Sequence, residues 1–180
     1  MKRRILIFRF CFGAALLCGA SSISTVFAQP FSSQQLKAAA RETMIKARYC
    51  ALITFDRNGR TNARTMDAFE PDEQMRVWFG TNRLSRKVAE IRRNPHVTLY
   101  YFDREDQAYV TLHGTATIVD DTAEKAKHWK EEWKDFYPKR DRDYVLILVR
   151  PRDLEVVNTK KGIVGHPRTW EPPLVTFPSR

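Results

Sequence analysis

The chain has 180 residues, with 31 Lys and Arg against 21 Asp and Glu, a formal net charge of +10, and 43% hydrophobic, 29% charged and 12% aromatic residues. This length and balance suit one globular domain with a buried core and exclude collagen-like, coiled-coil and multi-domain organisation. A charge of +10 raises nucleic acid or an anionic membrane as partner, so what matters is where the excess sits.

Part of it sits at the start. Lys2, Arg3, Arg4 and Arg9 lead into the apolar run Phe10 to Ala20, and small residues then lead to Val26-Phe27-Ala28 before Gln29. That order is a secretory signal peptide over residues 1–28, cut after Ala28. The eleven residues of the run rise only ~17 Å as a helix, short of a bilayer core of ~30 Å, which argues against an anchor. Leu17 stands where a lipoprotein signal before Cys18 needs a small residue, while Arg3-Arg4 leaves the twin-arginine route open. The expectation is an exported protein, periplasmic or secreted, with no membrane anchor after cleavage. The remaining 152 residues carry 27 basic and 21 acidic side chains, a net +6, and Cys50 as their one cysteine. No internal disulfide is then available, and the apolar neighbours of Cys50 predict a buried, inert thiol.

In chain order, Ser32 or Ser33 caps a helix whose apolar positions Leu36, Ala39, Ala40, Met44 and Ile45 keep helical spacing to about Ala47, packing as a lid. Tyr49 to Phe55 and Thr61 to Phe69 predict a hairpin around Asp56-Arg57-Asn58-Gly59. A second hairpin turn follows at Glu70 to Glu73. Arg76 to Thr81 is a third strand, Ser85 to Asn94 a helix stopped by Pro95, and His96 to Phe102 a fourth strand. Gln107 to Val119 is a long fifth strand, Thr122 to Tyr137 a helix capped by Asp120 or Asp121, and Tyr144 to Val149 and Leu154 to Asn158 two further strands. The fold class expected is mainly β (α+β), an antiparallel split β-barrel of six to seven strands with flanking helices, over residues 29–159. The tail 160–180 holds too many Gly and Pro for regular structure, and its Trp170, Leu174 and Phe177 predict packing on this barrel or a partner's.

The stretch from Val77 to Lys87 carries the strongest chemical signal. Ser85 as N-cap puts Arg86 and Lys87 in the first helical turn, where the dipole disfavours cations by about 0.3–1 kcal/mol each. A bound phosphate reverses that sign, because the free N–H groups, the Ser85 hydroxyl and both cations then converge on one dianion. The competing reading pairs Arg86 with Glu90 one turn on and leaves Lys87 solvated. Arg64, mid-strand, can aim at the same anion from a strand beside Thr81. The four histidines lack metal-ligand spacing, so no metal is expected. Trp129, Trp133 and Phe136 match a helical core stripe, and Lys139 to Asp143 alternates charge as a solvated loop, so no nucleic-acid surface is predicted.

Taken together, Arg64-Thr65-Met66, Trp78-Phe79-Gly80-Thr81-Asn82, Ser85-Arg86-Lys87, Asn94-Pro95 and Gln107 leading to Gly114 resemble the flavin-binding split barrel of the pyridoxamine 5′-phosphate oxidase family, in its general-stress-protein branch. The resemblance spans Leu36 to Asn158. It implies a homodimer with FMN at the subunit interface, the phosphate held by Arg64, Ser85, Arg86 and Lys87. It further implies that backbone around Thr65-Met66 and at Phe79, Gly80 and Thr81 borders the ring and ribityl chain, that Gln107 hydrogen-bonds the flavin, and that Trp170 covers the flavin of the partner. Two departures bear on activity. Phe69 stands where the oxidase has a Lys for its substrate's phosphate, and Trp129, Trp133 and Tyr137 replace the Tyr, Arg and Ser of the same grip. The expected function is therefore a flavin-dependent oxidoreductase on a small molecule other than pyridoxamine 5′-phosphate. The alternatives are a non-catalytic protein that sequesters flavin or haem, and an interaction module whose basic surface docks on anionic envelope components.

Overall fold

The computed structural model describes residues 31–178; the signal peptide read at residues 1–28 and its cleavage point lie outside them. Helix α1, Ser33–Ala47, starts in a capping box in which Ser32 and Gln35 satisfy each other's backbone N–H groups. Its buried stripe Leu36, Ala39, Ala40 and Met44 joins the barrel core.

Strands β1 (Tyr49–Phe55) and β2 (Thr61–Asp67) form the predicted hairpin, with Leu52 opposite Arg64. Strand β3 is Val77–Asn82, helix α2 Arg86–Arg93, β4 His96–Asp103 and β5 Ala108–Val119. Helices α3 (Thr122–Lys127) and α4 (Arg140–Asp143) flank a 3-10 turn over Glu131–Phe136, and β6 runs Tyr144–Asn158 with β7, Leu174–Thr176, on its edge. All pairings are antiparallel in the order β2-β1-β4-β5-β6-β3. The sheet curls so that, among the described residues, its edges β2 and β3 meet at the single bridge Ala68 to Phe79, where the Phe69 N–H donates to the Trp78 carbonyl at 3.0 Å. Beyond that bridge the barrel is split.

Four sequence expectations change. The turn read at Glu70 to Glu73 lies over Asp72 to Met75 and closes a single bridge instead of a hairpin ladder, ordered by Asp72, which accepts from the N–H groups of Gln74 and Arg76 at 3.0 and 2.9 Å. The helix read over Thr122 to Tyr137 breaks after Lys127 because tertiary contacts outweigh propensity: the His128 ring stacks on Trp78 with centroids 4.2 Å apart, and Lys130 turns inward to Asp67 at 2.8 Å. The Trp129–Trp133–Phe136 stripe is lost with it, and Phe136 is 76% exposed. The two strands read at Tyr144–Val149 and Leu154–Asn158 are one strand. Pro151, which has no N–H to donate, is accommodated where the β5–β6 register shifts between His113 and Gly114. A Cβ at Gly114 would lie 2.4 Å from the Arg150 carbonyl oxygen, so the close approach needs glycine there.

The fourth change is the tail, which is not wholly irregular: β7 pairs with Asp153–Glu155 and buries Val175. Cys50 lies in the core, 3% exposed, and burial pushes its thiol up to about 12, as an inert thiol requires.

Candidate functional site

Strand alternation sorts the two edges of the split. On β2, Asn62, Arg64 and Met66 turn inward while Thr61, Ala63 and Thr65 face out; on β3, Phe79 and Thr81 turn inward while Trp78 and Gly80 face out. Counting from the Ala68–Phe79 bridge, antiparallel register carries Arg64 level with the start of α2. The predicted cations meet there.

Arg64 is largely buried, at 18% side-chain exposure, and donates from Nη1 to the Leu52 carbonyl at 3.2 Å and the Thr54 hydroxyl at 2.6 Å. Its Nη2 reaches Glu90 Oε2 at 3.0 Å. Glu90, on α2 and 2% exposed, also accepts from Thr54 at 2.5 Å, from Asn62 at 2.8 Å, and lies 3.2 Å from Arg86 Nε. Lys87 donates to the Thr81 hydroxyl at 3.0 Å, and that hydroxyl is 3.4 Å from Ser85 Oγ. The pairing of Arg86 with Glu90 is therefore present, but Lys87 turns into the split. Ser85 is the N-cap, and its side chain caps no backbone N–H.

Charge sets the chemistry of this cluster. Among the described residues, two cations, Arg64 and Arg86, contact one carboxylate, while the third, Lys87, feels both arginine charges and bonds to the Thr81 hydroxyl. Partial burial holds the Lys87 amine below its usual value, and the neighbouring Arg64 and Arg86 charges push the same way against Glu90. An anion in the split would relieve that crowding. The arrangement can bind a dianion through charge-assisted hydrogen bonds.

The other predicted positions divide. Met66 and Phe79 have side chains in the core, so only their backbone faces the split, and Thr65 lies exposed on the outer face. Gly80 is needed for packing: a Cβ there would lie 2.5 Å from ring atoms of Trp133 and Tyr144. Gln107, at φ +46 in the β4–β5 turn, and Trp170, 82% exposed in the tail, are not brought to the cations within one chain. By the strand registers Gln107 lies three strands and five residues from Arg64, a separation of about 20 Å. Sequence reasoning missed Glu90 as the hub, together with Thr54 and Asn62. The available signal was period two, since Asn62 and Arg64 share a strand face.

On the outer side of β3 the chemistry differs. Phe69 meets His128 and Trp133 edge-on at 5.2 and 5.5 Å, and the Lys130 ammonium lies 5.0 Å from the Phe69 and Trp133 ring centroids. A cavity of about 330 Å³ opens beside them, lined by Met44, Ile45, Arg48, Ala68, Lys130 and Glu132 among others. Its cations are answered: Lys130 and Arg48 reach Asp67 at 2.8 and 3.2 Å, and Arg48 lies 3.6 Å from Glu132.

Residues 34–166 match the family model described as pyridoxamine 5′-phosphate oxidase like. The chain belongs to that family. General stress protein 26 of Bacillus subtilis is 30% identical over 106 residues, covering 56% of this chain and 73% of that protein. A pyridoxine/pyridoxamine 5′-phosphate oxidase of Haemophilus influenzae is 43% identical over 68 residues, 38% of this chain, and the chain spans only 32% of that enzyme's length. The crystal structure of general stress protein 26 from Bacillus anthracis superposes with a TM-score of 0.62 at 25% identity, covering 79% of this chain and 98% of that one. Fold and family thus agree with the split-barrel resemblance.

Proposed function

We propose that this chain is an exported, homodimeric flavoprotein that binds FMN and acts as a flavin-dependent oxidoreductase on a small molecule other than pyridoxamine 5′-phosphate. The observation that carries the reading is the convergence of Arg64, Arg86 and Lys87, with the Thr81 and Ser85 hydroxyls, in the barrel split. These residues fit a phosphate monoester: the cations outnumber the contacting carboxylate by two, and the Ser85 hydroxyl is free of a capping duty. Arg64, Arg86 and Lys87 would hold the phosphate and Thr81 and Ser85 would orient it. Bound flavin supplies the hydride or electron transfer, while the chain supplies binding and orientation.

A dimer is supported by the uncovered outer face of the sheet. Register aligns Tyr49, Phe102 and Tyr109 in one row across β1, β4 and β5, with Tyr100 beside them; Tyr49, Tyr100 and Phe102 are 50%, 40% and 55% exposed. An aromatic row of this kind on a sheet face favours burial against a second copy. A second subunit is also what Gln107 and Trp170 need if they are to act on a flavin. Rejection of pyridoxamine 5′-phosphate is supported by the charge balance beside Phe69, where Lys130 and Arg48 are already paired with Asp67 and Glu132. Export rests on the order of residues 1–28.

The test is the visible spectrum of the purified mature protein. Flavin bands near one per chain are expected. A colourless protein that FMN cannot reconstitute would overturn the reading, and a Soret band would turn it toward haem sequestration. Pyridoxamine 5′-phosphate added to the holoprotein is expected to leave the flavin oxidised.

A further inference from the structure

We propose that Glu90 is a positioning residue that aims both arginines of the site at a phosphate, so that the preference for a phosphorylated over an unphosphorylated flavin depends on a buried carboxylate that touches no ligand. The inference rests on the FMN reading above and deepens it. Its basis is how the guanidinium hydrogen bonds are shared out. Arg64 spends Nη1 on the Leu52 carbonyl and the Thr54 hydroxyl and one Nη2 hydrogen on Glu90, which leaves its Nε–H and the other Nη2–H without a partner among the described residues. Arg86 pairs with Glu90 through Nε at 3.2 Å, its side chain is 72% exposed, and neither Nη has a partner among the described residues.

Glu90 is itself fixed from four sides. Arg64 and Thr54 converge on Oε2, Asn62 and Arg86 on Oε1, and the carboxylate is 2% exposed. Thr54 both accepts from Arg64 and donates to Glu90, so the guanidinium is held at two points relative to one carboxylate. The planar fork of arginine binds phosphate through geometry, and a guanidinium free to swing loses that advantage. A surplus acid in an anion site would otherwise only weaken it by like charge. Its burial, with every contact given to Arg64, Arg86, Thr54 and Asn62, gives it an orienting role instead.

Positioning and charge make opposite predictions for Glu90→Gln, which keeps shape and removes the charge. If Glu90 only opposed the phosphate, FMN would bind more tightly in the variant and the gain would shrink with salt. If it positions the arginines, FMN weakens at least about tenfold, the scale on which residues that orient ligand-binding groups act, while riboflavin is unchanged. The experiment measures FMN and riboflavin affinity by fluorescence quenching on the full-length protein freed of flavin, wild type and variant, at low and high salt. A fall in the FMN-to-riboflavin ratio that persists at high salt supports the proposal; an unchanged or increased ratio overturns it. Loss of riboflavin binding in equal measure marks a merely structural role and also overturns it. Should Glu90→Gln fail to fold, Thr54→Val decides: it cuts the hydroxyl relay and keeps every charge, and a ratio lowered about threefold supports positioning while an unchanged one refutes it. Wild type with no preference for FMN would instead defeat the parent reading.

Discussion

The two faces of β3 hold two opposite solutions for positive charge. Inward, around Thr81, Arg64 and Arg86 share the Glu90 carboxylate and Lys87 donates to the Thr81 hydroxyl, so positive charge is in excess. Outward, at Trp78 and Gly80, Lys130 is answered by Asp67 and surrounded by the rings of Phe69 and Trp133. One strand thus separates a cluster in which cations exceed carboxylates from one in which they are paired with carboxylates. The difference teaches that two groups of cations on one strand can be balanced independently, because strand alternation sends their side chains to opposite faces.

The largest expected effect breaks the inward side alone. Replacing Arg64 and Lys87 together with Ala removes two charge-assisted contacts of about 1.5–3 kcal/mol each, and FMN affinity should fall at least about 100-fold by titration while riboflavin changes little. Equal losses for both ligands would show that these residues do not grip the phosphate. On the outward side, Gly80→Ala forces a Cβ to within 2.5 Å of the Trp133 and Tyr144 rings. Overpacking of about 1–3 kcal/mol should lower Tm by roughly 2–12 °C in a calorimetric scan.

A smaller effect is expected from Lys130→Met, which leaves Asp67 only its Arg48 partner. About 1–2 kcal/mol of stability should go, read from the urea midpoint, with the FMN-to-riboflavin ratio unchanged. A changed ratio would mean that the two faces are coupled. The smallest effect is in pH. Burial pushes the Asp67 carboxyl up, but Arg48 and Lys130 outweigh it and the net shift is downward. A depressed carboxyl contributes its stability above its unfolded pKa of about 3.9 and loses it as pH falls through the lower folded value. The urea midpoint should therefore hold from about pH 7 to 5 and drop below about 4, less steeply in Lys130→Met.

Much of the fold was legible because its signals are local. Period-two patterning and Asp-Arg-Asn-Gly gave the β1–β2 hairpin, and Ser85 with Pro95 bounded α2 within a residue at either end. The interrupted helix after Lys127 was illegible because what stops it lies in other elements: Trp78 for the His128 ring, and Asp67 for Lys130. The single strand β6 reads as two because Pro151 signals a break locally, while the bulge that absorbs it, with Arg152 as the extra residue, depends on the close approach of Gly114 from β5.

The candidate site divides in the same way. Sequence alone named Arg64, Ser85, Arg86 and Lys87, since a cap followed by cations against the helix dipole is an anomaly that asks for an anion. It also supplied the family resemblance and the departures at Phe69, Trp129, Trp133 and Tyr137. Only the tertiary structure decided that Glu90 lies beneath both arginines, that Lys87 turns to Thr81 instead of to solvent, and that Gln107 and Trp170 stay apart from the cations within one chain. The reason is physical: an i, i+4 pair or a cap is written along the chain, whereas the meeting of β2 with α2 depends on how far the sheet curls before its edges touch at Ala68 and Phe79.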